Sequence, residues 1–95
     1  MPDGFFLMAF DSTSHCMQTE KLSVGKYRAT IVPTPTEITS GCGFSLRFFE
    51  GSEAELTSFL HSTHLPAKLY HMGPRGPEGL RSVRLVADSE GGAAL

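Results

Sequence analysis

The sequence predicts one small mixed α/β domain, an α+β sandwich of helices on a sheet. Runs of strand length and composition at 5–10, 27–32, 44–49 and 67–72 alternate with two segments that carry helix-start signals. The chain has 95 residues, of which 40% are hydrophobic and 19% charged. That is globular composition and enough length for one modest core.

The first run, Phe5–Phe10, is continuously apolar and suits a central strand covered on both faces. Asp11, Ser12, Thr13 and Ser14 follow as good N-cap residues. A helix over 13–24 is the natural continuation, closed by Gly25 in the left-handed region. Its apolar content is thin, limited to Cys16, Met17, Leu22 and Val24. The run 27–32 is β-branched and aromatic, and Pro33 and Pro35 are expected to stop it. After a polar, turn-rich stretch, 44–49 alternates: Phe44, Leu46 and Phe48 on one face, Ser45 and Arg47 on the other.

Ser52 and Glu55 have capping-box spacing, and Leu56, Phe59, Leu60 and Thr63 follow at helical spacing. A second helix is predicted over 53–63, with Pro66 barring its continuation. The run 67–72 reads as a fourth strand. From Gly73 the breaker cluster GPRGPEG suggests that the domain is 1–72 and that 73–95 is a largely disordered tail. Within it, 81–86 alternates and could add a short strand.

The order is βαββαβ, the ferredoxin-like plan: two helices on one face of a four-stranded antiparallel sheet. Strands one and three are then central, and the 33–43 loop lies at the end where the first helix begins. That places Gly41-Cys42-Gly43 near a helix N-terminus, where a thiolate is favoured. Cys42 is therefore the candidate reactive thiol. Ser12, Thr13, His15, Gly43 and Arg47 are candidates to stabilise its thiolate, and Cys16 to act as a resolving thiol. The bland alternatives are a buried Cys42 and a core Cys16, since free cysteine is among the most buried residue types.

Composition narrows the function. A net charge of −2 with scattered Lys and Arg argues against nucleic acid. No apolar run is long enough to cross a membrane, and the N-terminus does not read as a secretory signal. A cytoplasmic protein with reduced thiols is expected. No nucleotide fingerprint or metal-ligand pattern occurs, so no cofactor and no metal are expected; His61 and His64 share a helical face without further ligands. The open sheet face is apolar in part, given Phe5 or Phe6 and Phe49, which suggests a homodimer through it.

Two segments, 10–21 (FDSTSHCMQTEK) and 33–48 (PTPTEITSGCGFSLRF), resemble a small bacterial selenium/sulfur (Se/S) carrier protein-like family. The matching positions are Phe10, Ser12, Thr13, Met17, Glu20 and Lys21, then Pro33, Pro35, Ile38, Ser40, Cys42, Gly43, Leu46, Arg47 and Phe48. The resemblance covers roughly residues 5–72. Thr39 stands where the family tends to Ser, Gly41 at a variable position, and Cys16 outside the pattern. The resemblance implies a thiol that carries sulfur or selenium as a persulfide or selenosulfide, between protein donors and acceptors. Two other classes stay open from the residues: a non-catalytic ligand-sensing or protein-interaction module, and a redox switch through Cys16 and Cys42. Neither enzymatic turnover nor stoichiometric carriage is singled out by the pattern.

Overall fold

The computed structural model describes residues 4–38 and 43–89. Seven elements follow in the order β1 (Phe5–Phe10), α1 (Thr13–Ser23), β2 (Ala29–Pro33), β3 (Phe44–Phe48), α2 (Glu53–Thr63), β4 (Lys68–Arg75) and β5 (Arg81–Asp88). The strands form one sheet in the order β2-β3-β1-β4-β5, and every neighbouring pair is antiparallel. The sheet therefore has five strands, not the four expected. The added strand lies where the sequence suggests a tail.

The physical reason is a turn that reads locally as a domain end. Gly76 donates to the Leu80 carbonyl at 2.7 Å and Gly79 to the Gly76 carbonyl at 3.0 Å. Gly79 has φ +83°, which glycine adopts without strain. The breaker cluster is thus a hairpin loop. β4 runs past Met72 because the pairing with β5 shifts register between Met72 and Arg75. Pro74 falls in that irregularity, where a missing N–H is tolerated. At the other end Ser89 closes the hairpin, its amide on the Ala67 carbonyl and its hydroxyl accepting from the Ala67 amide.

Both helices pack on the same face. Phe6, Met8 and Phe10 of β1, Leu46 and Phe48 of β3 and Leu69 of β4 meet Cys16 of α1 and Leu56, Phe59 and Leu60 of α2 in one cluster. α2 follows its expected bounds, and the capping box is formed: Ser52 Oγ accepts from Glu55 N, and Glu55 Oε1 from Ser52 N. α1 differs. Met17, Leu22 and Val24 are 50%, 49% and 72% exposed, while Cys16, Thr19 and Ser23 are buried. Those three share one face at i, i+3 and i+7. The two hydroxyls are satisfied inside the helix, Thr19 on the His15 carbonyl and Ser23 on the Glu20 carbonyl. Small, internally bonded side chains let the helix lie close to the sheet at no cost in unpaired polar groups.

β2 also differs from expectation, because it includes Pro33. It is the outermost strand on its side, so the lost N–H can face solvent.

The face away from the helices carries Leu7, Ser45 and Met72, all buried, with Phe5, Arg47 and Tyr70. The β2–β3 connection and the β4–β5 hairpin meet over it. Thr34 Oγ1 and Ser45 Oγ are 2.7 Å apart, and Glu37 Oε2 accepts from the Arg81 amide at 2.9 Å. A homodimer through this face would thus find less bare apolar surface than the sequence suggests.

Candidate functional site

The end of the sheet where β1 finishes and β3 starts gathers most of the expected site residues. Phe10 pairs with Phe44 in register. A Cβ on Gly43 would lie 3.6 Å from the Phe10 carbonyl and 3.5 Å from Thr34 Oγ1. Gly43 is thus set beside the last residue of β1, two positions before the N-cap of α1. The chain turns there because Ser12 is extended (φ −120°, ψ 127°) and its hydroxyl accepts from the His15 amide at 3.3 Å. The Thr13 and Ser14 amides belong to the same first turn, which has no intrahelical acceptors for them. No acidic side chain occupies that turn to offset its positive pole.

A cavity of about 530 Å³ opens beside this junction. Its lining includes Phe10, Asp11, Thr34, Ile38, Gly43, Lys68, Tyr70 and Asp88. Cys42 and Gly41 lie outside the described residues. Ile38 and Gly43, the described residues on either side of that segment, both line the cavity. Two carboxylates, Asp11 and Asp88, face one ammonium, Lys68, in this lining. Its side chains alone do not make an anion hole; the positive element nearby is the start of α1.

The remaining candidates are elsewhere. Cys16 is fully buried in the core cluster. Burial first, and the nearby Glu20 carboxylate second, push its thiol up to about 11. A thiol that holds its proton so firmly is a poor nucleophile and a poor resolving partner. Arg47 is four residues along β3 from Gly43, about 13 Å at roughly 3.3 Å per residue. Its guanidinium carbon sits 4.0 Å from the Phe5 ring centroid and 5.3 Å from that of Phe49. So Ser12, Thr13, His15 and Gly43 share one end of the domain; Cys16 follows in the same helical turn but turns its thiol into the core, and Arg47 lies at the other end of β3.

Reading the sequence missed Asp11, Lys68, Tyr70 and Asp88 as cavity residues. The signal for Asp88 was available, since it extends the alternating run that begins at Arg81; the tail reading hid it. Lys68 and Tyr70 carry no local signal, because only the β1–β4 register brings them there. Among the described residues no three His, Cys, Asp or Glu side chains gather into a set that could hold a metal ion. Among them, too, no helix is long and apolar enough to cross a membrane.

The model of the family described as "Putative Se/S carrier protein-like" matches residues 5–71 of the chain. Comparison with curated proteins and with solved structures gives no match. The match spans well over half of the chain and runs from β1 into β4. The chain belongs to this family.

Proposed function

We propose that this member of the Se/S carrier protein-like family carries sulfur or selenium on Cys42 and passes it to a protein acceptor. One observation carries the proposal: Gly43, bonded to Cys42, is set against the end of β1 two residues before the α1 N-cap. We read the β2-β3-β1-β4 part of the sheet with its two helices as ferredoxin-like, with β5 appended, in a cytoplasmic protein.

The loading step is a displacement. The Cys42 thiolate attacks the outer sulfur of a donor persulfide. A bond forms between Cys42 sulfur and that sulfur, the donor S–S bond breaks, and the donor thiolate leaves and takes a proton from solvent. Oxidation state is conserved, because the sulfane sulfur is transferred as such. Selenium follows the same course from a donor selenosulfide. The first-turn amides of α1 and the Ser12 and Thr13 hydroxyls favour the anion. A helix terminus contributes about 0.3–1 kcal/mol to an exposed charge nearby. That favours the thiolate modestly, which suits a carrier that must also give its cargo up. Gly43 keeps the approach to the thiol narrow in side chain, so a partner's backbone can come close.

The test is intact mass spectrometry after incubation with glutathione persulfide, followed by peptide mapping. The expected result is the gain of one sulfur atom, located on Cys42 and absent in Cys42→Ser. No gain in the wild type, or a gain that persists in Cys42→Ser, overturns the proposal.

A further inference from the structure

Arg47 presents a charge that no described residue answers with a hydrogen bond or ion pair. It stands on β3, inside the sheet between β1 and β2, and is half-buried. Its Nε is buried and has no hydrogen-bond partner among the described residues. The ion pair found among those residues joins Arg84 to Glu53, on the other face. A buried N–H is ordinarily hydrogen-bonded, because leaving it unpaired away from water is expensive. Here the guanidinium rests instead on the faces of Phe5 and Phe49. The Arg81 guanidinium also stands 5.0 Å from the Phe5 centroid, so two like charges share one ring. Arg81 is held by the Gly73 carbonyl at 2.9 Å, which accounts for its place. Among the described residues no such bond accounts for Arg47.

The side chain lines a cavity of about 290 Å³ at the end of the sheet opposite Gly43. Phe5 and Phe49 supply apolar wall beside Arg47, and Phe6 and His71, which belong to the helix face of the sheet, line the cavity from across the sheet end. Gly4 gives the imidazole room: a Cβ there would come within 2.7 Å of His71 Nε2. Glu50 is on the rim, its Oε2 engaged by the Arg28 amide at 2.7 Å.

We propose that this cavity is a binding site for a small organic carboxylate, anchored by Arg47. A guanidinium whose plane is already fixed by ring stacking loses little freedom when it takes a carboxylate through two parallel N–H bonds. The phenylalanine walls cover the apolar body of the ligand. A phosphate dianion fits less well: Arg47 is the one Arg or Lys among the lining residues, Arg81 being engaged by the Gly73 carbonyl behind Phe5, and the Glu50 carboxylate repels a second negative charge. The volume is at the small end of ligand pockets, so the ligand is of amino-acid or aromatic-acid size. The site is independent of the thiol chemistry, being about 13 Å from Gly43 along β3 at roughly 3.3 Å per residue.

Benzoate is the probe, with inorganic phosphate as the comparison, in a two-dimensional ¹H–¹⁵N titration of the full chain. The expected result is saturable movement of the Arg47 Nε–H signal and of the Phe5, Phe49 and His71 amides, with a Kd on the order of 1 mM. Phosphate moves these signals at least several-fold more weakly. Arg47→Lys, which keeps the charge and loses the fork, weakens benzoate about tenfold. Phe49→Ala, at an exposed ring, weakens it several-fold and serves where Arg47→Lys fails to fold. Cys42→Ser binds as the wild type does. No saturable shift with benzoate overturns the proposal. So does equal affinity in the folded variants, or phosphate binding as tightly as benzoate.

Discussion

Glu37 and Arg81 are joined across 44 positions of sequence: Oε2 of the first accepts from the backbone amide of the second at 2.9 Å. The bond ties the β2–β3 connection, which leads to Cys42, to the first residue of β5. The appended hairpin is thereby coupled to the segment that carries the candidate thiol. The Arg81 amide in the first place, and the Glu37 amide after it, hold the Glu37 carboxyl below its ordinary 4.5, with smaller help from the Arg75 and Arg81 charges.

A carboxyl lowered in the folded state stabilises it above the unfolded value, and that contribution disappears as pH falls through the folded value. An NMR pH titration reads this at the Arg81 amide, whose shift should move with a midpoint below 4.5. Glu37→Gln keeps an acceptor and should remove the titration while leaving the amide bonded. A midpoint at or above the ordinary value would show that the bond is not held in solution.

Gly73 and Ser82 make a second tie within the hairpin. A Cβ on Gly73 would run into Ser82 Oγ, whereas the next nearest atoms, Ser82 Cβ and carbonyl oxygen, stand at 3.7 Å. Gly73→Ala should therefore force the exposed Ser82 hydroxyl into another rotamer, at a cost of about 0.5–1.5 kcal/mol. Removing the obstructing atom with Ser82→Ala should restore most of it, because 3.7 Å is ordinary contact. Denaturant midpoints of the two single variants and the double variant measure the coupling. Additive losses would mean that the two positions do not touch.

Cys16 supplies a prediction at alkaline pH. Its thiol is at about 11 in the fold against an unperturbed 9.0. An acid whose value is raised by folding binds its proton more tightly in the native state. Its contribution is complete below 9.0 and is lost as pH rises from there through about 11. Chemical denaturation in a Cys42→Ser background should show stability falling across that interval. Cys16→Ala, starting from lower stability, should show a shallower fall. Equal slopes would mean that the thiol is not buried as described.

How much of this was legible in the chain depends on whether the signal was local. α2 was, down to its bounds, because Ser52 and Glu55 specify the start through bonds between neighbours. The start of α1 was legible for the same reason at Ser12. Its buried face was not. Hydropathy points to Met17, Leu22 and Val24, yet the helix buries Thr19 and Ser23, whose hydroxyls are satisfied by carbonyls one turn back. A hydrophobicity pattern has no means of recording that. β5 was half legible: its alternation was visible, but the glycines and prolines before it mark a hairpin and a domain end equally well. The cavity beside Gly43 was least so, since the registers of β1 with β3 and β4 assemble it.

The fifth strand bears on how the molecule behaves among many copies of itself. The family match ends at residue 71, within β4, and a sheet that stopped with β4 would leave that strand's outer ladder open beside Leu69, Tyr70 and Met72. β5 takes over the rim and brings Arg81 and Arg84 to it. Charged side chains on an outermost strand discourage edge-to-edge growth between molecules. At the opposite rim, β2 ends in Pro33, which has no donor to offer a neighbour. Each border of the sheet thus limits its own extension, one by charge and one by a missing N–H. A chain cut after residue 71 should lose the first of these limits and self-associate more than the full chain, which light scattering of the two would read.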